Sequence, residues 1–252
     1  MSSRHGYPLR REGYRWETSR PAHCLAFVAP ILVVFHVGSA YVRAPLLATA
    51  DLERILGVFG PAAWYLPPVL VAAALLVQHS ARRDRWRVRP TVLAGMAAES
   101  VLWAVPLLAI NYLVSRLLAT NGMLAAGGTP TQVNVLQALG AGIYEEFVFR
   151  YILLGLVAWA CTRSVNSPAK RDLITLVVLL ASSLAFSLYH HFPWFARVGA
   201  AAVNLPEFSG GAFAWRTAAG LCLGLVYAYR GFGIAAGAHV VWNLYWVFVA
   251  AA

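Results

Sequence analysis

Apolar residues in this chain are gathered into stretches long enough to cross a lipid bilayer, and that arrangement leaves few folds open. A span takes about 20 residues of helix. Stretches of roughly that length run over Cys24–Val42, Ala62–Val77, Val92–Val114, Val133–Cys161, Leu173–His190, Gly211–Tyr229 and Gly233–Ala251. In lipid every backbone N–H and C=O must find its partner inside the protein, so such stretches form helices. The expected fold is all-α, a polytopic bundle of about seven transmembrane helices. Composition agrees: 60% of the residues are hydrophobic and 12% charged, where soluble domains are about a quarter charged. The second stretch is short, and Pro67-Pro68 predicts a kink or break in it. The fourth is long enough to tilt or to extend beyond the bilayer.

The net charge of +10 alone would suggest nucleic acid, but its placement along the chain excludes that partner. Basic residues follow the loops. Arg4, Arg10, Arg11, Arg15 and Arg20 precede the first stretch, Arg82, Arg83, Arg85, Arg87 and Arg89 follow the second, Arg163, Lys170 and Arg171 follow the fourth, and Arg230 follows the sixth. These are fourteen of the twenty, all on one side of a seven-span topology; Arg43, Arg54, Arg116 and Arg197 fall on the other, and Arg150 and Arg216 within spans. The positive-inside rule then predicts a cytoplasmic N-terminus and a C-terminus on the outer side. The basic loops are also placed to meet anionic lipid head groups. The first apolar run lies behind more than twenty residues of polar chain and lacks a small-residue cleavage site, which predicts an uncleaved anchor. Cys24, Cys161 and Cys222 lie in or at the ends of spans without CxxC spacing, as buried apolar residues do. Asn121–Thr131, rich in Gly and Thr, and Phe192–Gly210, with Pro193, Trp194 and Pro206, read as connections on the outer side.

A charge at the bilayer centre costs at least about 2.5–3.5 kcal/mol on insertion scales, so ionisable residues inside these stretches ask for a function. Glu145, Glu146 and Arg150 share the fourth stretch. On a helix Glu146 and Arg150, four apart, fall about 40° from one another, whereas Glu145 and Arg150 diverge by about 140°. Arg150 is therefore expected to pair with Glu146, leaving Glu145 free for another partner. Two later stretches add His190, on one face with Phe186, and His239 with Asn243 one turn further on. Carboxylate, imidazole and amide on separate spans are the parts needed to activate a water and stabilise an oxyanion. The same residues, taken singly, are also what a helix-packing polar network uses. Glu99 and Arg216 lie within the third and sixth stretches, free to pair with each other or with the central group, and His36 reads as a packed residue of the first.

The motifs EExxxR (Glu145-Glu146-Phe147-Val148-Phe149-Arg150), FxxxH (Phe186 to His190) and HxxxN (His239 to Asn243), in this order and each on its own stretch, give the chain a resemblance. It resembles the CAAX-processing and bacteriocin-immunity (CPBP, or Abi) intramembrane proteases, related to the type II CAAX prenyl endopeptidases, from about Val133 to the C-terminus. Charge placement and apolar stretches predict a basic cytoplasmic segment over 1–23 and N-terminal transmembrane helices over 24–132, and the resemblance implies a catalytic core over 133–252. It implies an endopeptidase in which Glu145 activates the attacking water, His190 orients it, and His239 with Asn243 stabilises the oxyanion. Glu146, Arg150 and Phe186 would be supporting residues. The family is described both as metal-dependent and as glutamate-type, so zinc held by Glu145, His190 and His239 is the cofactor implied if a metal takes part. No HExxH helix and no GxSxG elbow is present. The partners implied are membrane lipid and a membrane-associated peptide or protein substrate, and the short, arginine-rich chain points to a bacterial inner membrane. Two other functions fit the same residues: a non-proteolytic immunity or membrane-partner protein, and a small proton-coupled transporter using Glu145, His190 and Glu99 as a relay. One tension stands out. Counted from the same side, His190 lies about 26 Å along its span and His239 about 9 Å along its own.

Overall fold

The structure, a computed structural model, describes residues 13–42, 46–117, 131–192 and 208–249. The two expected outer connections lie almost wholly outside the described residues, as do Arg4, Arg10, Arg11, Arg43 and Arg197. The described chain is helical throughout, without a strand. A short α1 (Tyr14–Thr18) leads into α2 (Pro21–Tyr41), and α3 (Leu47–Ile55) runs through a 3-10 segment, Leu56–Tyr65, into α4 (Leu66–Arg82). Then come α5 (Pro90–Leu117) and α6 (Thr131–Glu146), the latter continued without a break by a π-helical segment, Phe147–Leu156, and by α7 (Val157–Thr162). The last three are α8 (Pro168–Tyr189), α9 (Gly210–Arg230) and α10 (Phe232–Val249).

Helix starts follow local chemistry. Pro21 and Pro168 stand in first turns, where the missing N–H costs nothing, and Ser209 caps the backbone N–H of Ala212 at the start of α9. Pro67 and Pro68 do the same for α4. They begin a helix instead of kinking one, and the bend lies earlier, at Gly60, whose φ of 60° favours glycine. Gly231, at φ 91°, turns α9 sharply into α10.

Among the described residues, five helical segments are long and apolar enough to cross a membrane: Pro21–Tyr41, Ala48–Arg82, Pro90–Val114, Pro168–Tyr189 and Phe232–Val249. The two other expected spans, α6 through α7 and α9, are also helical and carry Glu145, Glu146, Arg150 and Arg216. α10 is the axis of the bundle, with every residue from Phe232 to Val240 buried, among α2, α5, α6 and α9. A helix apolar on all sides belongs inside. Between helices in lipid there is little hydrophobic drive, so close packing by small residues does the work. A Cβ on Gly237 would meet the Ser100 side chain of α5 at 2.2 Å, and one on Gly142 of α6 would meet the Val240 backbone nitrogen at 2.7 Å. The outward faces are apolar and exposed, for example Val33 and Val37 on α2, Leu102 and Val105 on α5, and Leu176 and Leu180 on α8.

Basic residues from three connections meet at one end of the bundle. Arg15 donates to the Tyr229 carbonyl, Arg82 to the Ser19 carbonyl, and Arg20 to the carbonyls of Arg85 and Arg87. Arg230 forms a two-pronged ion pair with Glu99, Nη2 to Oε2 being 2.7 Å. Glu99 thus pairs with neither Arg216 nor the central group.

Candidate active site

Glu145 and Glu146 are the last residues of α6 before the π-helical turn, and both are buried. The Gly142–Val240 approach brings their backbone against α10 one residue from His239. His239 Nδ1 donates to Glu146 Oε1 at 2.8 Å. Arg150 Nη1 stands 3.0 Å from the same oxygen, the pair the helical spacing predicts, as a charge contact without hydrogen-bond alignment. Neither Glu146 nor Arg150 has any exposed side-chain surface. Arg150 also donates from Nη2 to the Gly220 carbonyl of α9 at 3.3 Å, and its guanidinium lies 4.3 Å over the Phe186 ring of α8. One arginine therefore ties the π segment to two further helices. The wide turn is itself held from α8, because the Phe149 carbonyl accepts the Ser182 hydroxyl at 2.7 Å.

Glu145 is left to face the two imidazoles. Its Oε2 lies 3.7 Å from His190 Nε2 and 3.9 Å from His239 Nε2. His190, the residue that ends α8, donates from Nδ1 to the Phe186 carbonyl at 2.8 Å. The Nδ1 nitrogens of both rings are thus committed as donors, to a carbonyl and to a carboxylate, neither of which can donate in return. In the neutral rings, both Nε2 lone pairs point into the space beside Glu145. Phe186 walls that space, its ring centroid 4.9 Å from that of His190 and 6.1 Å from that of His239. The side chain of His190 is 25% exposed against 8% for Glu145 and 5% for His239, so the site opens at His190.

The contrast in depth resolves in the packing. α8 is not buried until Leu179, so roughly 16 Å of it precedes the packed bundle, whereas α10 is buried from Phe232 onward. Measured from those points, His190 and His239 lie at about 16 and 10 Å, close enough for tilt to close the difference. Asn243 is half-buried one turn beyond His239 on α10, and the contacts that join the group do not include it. His191 turns away from the group and accepts from Arg216 Nη1 at 3.3 Å.

Zinc asks for donors about 2.0–2.1 Å from the ion, which puts neighbouring donors roughly 3.3–3.5 Å apart. The donor types suit it, and both imidazoles have the engaged Nδ1 expected of metal ligands. The separations of 3.7 and 3.9 Å are too wide by a few tenths of an ångström. As the side chains stand, no group of three among the described residues would hold a metal ion.

Sequence reasoning did not single out Gly142, Ser182, Tyr144 or Tyr189. Ser182 had a readable signal, a hydroxyl in an apolar helix one turn before Phe186 and so on its face. Gly142 had only its spacing from Glu145.

Residues 128–245 match the sequence model of the family described as type II CAAX prenyl endopeptidase Rce1-like. No curated protein and no solved structure matches the chain. The matched segment contains all three motifs and every residue of the carboxylate and imidazole group just described. Over residues 128–245 the chain is therefore similar to the type II CAAX prenyl endopeptidase Rce1-like family, CAAX protease-type intramembrane endopeptidases.

Proposed function

We propose that the protein hydrolyses a peptide bond in a membrane-associated protein or peptide, with Glu145 as general base and His190, His239 and Asn243 completing the site. The observation that carries this reading is the meeting of a buried carboxylate and two Nε2 nitrogens at one half-open point. The Glu145 carboxylate and the His190 Nε2 lone pair, two acceptors facing one another, repel unless something with protons or positive charge lies between them. A water molecule answers that need, donating one hydrogen to Glu145 and the other to His190. Glu145 takes the first proton as the water oxygen adds to the substrate carbonyl, then passes it to the leaving amine as the C–N bond breaks. His239, held as the imidazolium by Glu146 on its Nδ1, donates from Nε2 to the developing oxyanion together with the Asn243 amide. In surroundings this apolar such donors count for more than in water.

Zinc is the alternative occupant of the same point. Glu145, His190 and His239 would hold it after drawing in by a few tenths of an ångström, and it would supply Lewis-acid polarisation.

The test is digestion of a pool of membrane-inserted peptides by the protein in bilayer discs, in ¹⁸O-labelled water, with and without a chelator. Hydrolysis puts one ¹⁸O atom into each new C-terminus. Cleavage that survives chelation supports the metal-free form, and cleavage lost to chelation and restored by added zinc supports the metal form. A protein that binds members of the pool and cuts none of them would favour the non-proteolytic partner reading.

A further inference from the structure

Two site residues are immediately preceded by tyrosines, and both tyrosines are bonded to helices outside the matched domain. Tyr189, next to His190, donates its hydroxyl to Asp51 Oδ2 of α3 at 2.6 Å. Tyr144, next to Glu145, shares a hydrogen bond with His36 Nε2 of α2. Asp51 and Tyr189 are 138 positions apart in sequence and both are buried, at 7% and 3% exposure. A carboxylate taken out of water is expensive even with a phenol and the Arg54 charge to face, which argues that the contact is kept for what it holds in place.

What it holds is the end of α8. His190 follows the last helical residue, in a turn whose backbone closes onto Ser187 and Leu188, and helix ends fray unless tied. The Tyr189 ring packs on Phe149 at 5.4 Å, and Phe149 packs on Phe186 at 5.4 Å. Phe186 in turn supplies the carbonyl that fixes His190 Nδ1. Movement of Tyr189 would therefore loosen both the turn and the ring that set the direction of His190 Nε2.

We infer that Asp51 is a positioning residue for the reaction, acting through Tyr189 to aim His190 Nε2 at Glu145, so that α3, outside residues 128–245, completes the site. The inference rests on the reading of His190 as part of the catalytic group.

The experiment compares full-length wild type with Tyr189→Phe, Asp51→Ala, Asp51→Asn and the Tyr189→Phe/Asp51→Ala double variant, all in bilayer discs. Cleavage is normalised to folded protein by thermal unfolding. Tyr189→Phe and Asp51→Ala are expected to lower kcat on the order of tenfold or more while leaving KM within about twofold, as misplacement of a reacting group does. Asp51→Asn keeps an oxygen that accepts from the phenol and is expected to retain most of the rate. The double variant should be no worse than the poorer single one, because both cut the same tie. An unchanged kcat in Tyr189→Phe, or an Asp51→Asn variant as slow as Asp51→Ala, would overturn the inference.

A second readout needs no catalysis: the rate at which diethyl pyrocarbonate modifies His190, followed by mass spectrometry. It should rise several-fold in Tyr189→Phe if the tie holds the ring, and an unchanged rate overturns the inference even if wild type cuts no peptide. Failure of the tie is thereby separated from failure of the proteolytic reading.

Discussion

Arg150 is the largest fully buried side chain among the described residues, and its surroundings explain how a guanidinium persists among apolar helices. It meets a carboxylate of its own helix, a backbone carbonyl of α9 and an aromatic face of α8. Removing the charge at similar volume, Arg150→Met, leaves Glu146 buried with only the His239 contact. Breaking a buried pair in this way costs about 3–5 kcal/mol. The expected result is a clearly lowered unfolding midpoint in detergent, and an unchanged midpoint would show that the pair carries no stability. The Glu146 partner was legible because four-residue spacing on a helix fixes it. Gly220 and Phe186 were not, since spacing along one helix says nothing about which helix lies opposite. The same limit hid the Glu99–Arg230 pair, 131 positions apart.

At the scale of elements, the site depends on a close approach and on a wide turn. A Cβ at Gly142 would lie 2.3 Å from Val240 Cγ2 and 2.7 Å from the Val240 backbone nitrogen. Gly142→Ala must therefore separate α6 from α10, and with them Glu145 from His239. Overpacking of this kind costs about 1–3 kcal/mol, and cleavage by the folded fraction should fall further than stability does. Adding Val240→Ala removes the side-chain clash and leaves the backbone one, so rescue should be partial; complete rescue would assign the effect to the side chain alone. The π-helical turn from Phe147 to Leu156 invites a second test. Ser182→Ala leaves the Phe149 carbonyl without its hydroxyl donor, at about 1–3 kcal/mol, measurable as a lower unfolding midpoint. Helix over this segment was legible from its apolar length. Its π geometry was not, because FVFRYILLGL differs little from any buried helix and the width of the turn is set by what packs on it, such as Ser182.

At the scale of the whole molecule, the bundle joins a match over residues 128–245 to helices that precede it. The all-α membrane architecture was legible because long apolar stretches in lipid leave little alternative. The extension of α8 before its packed part was not, because the stretch 173–178 is as apolar in sequence as the packed part that follows it. The clustering of Arg15, Arg20, Arg82 and Arg230 at one end agrees with loop charges sorted to one side. In a protein whose own cysteines have been replaced, Arg85→Cys and Asn166→Cys are both expected to react with an impermeant maleimide only from the cytoplasmic side. Labelling of the two from opposite sides would contradict the topology. The central claim is that Glu145 performs the chemistry, and Glu145→Gln, nearly isosteric, tests it most directly. The measurement is the initial rate of cleavage of one membrane-inserted peptide by wild type and variant, matched for folded protein. The account predicts a loss of about 10²–10⁴-fold or more with the unfolding midpoint little changed, whereas a variant that cleaves at the wild-type rate would contradict it.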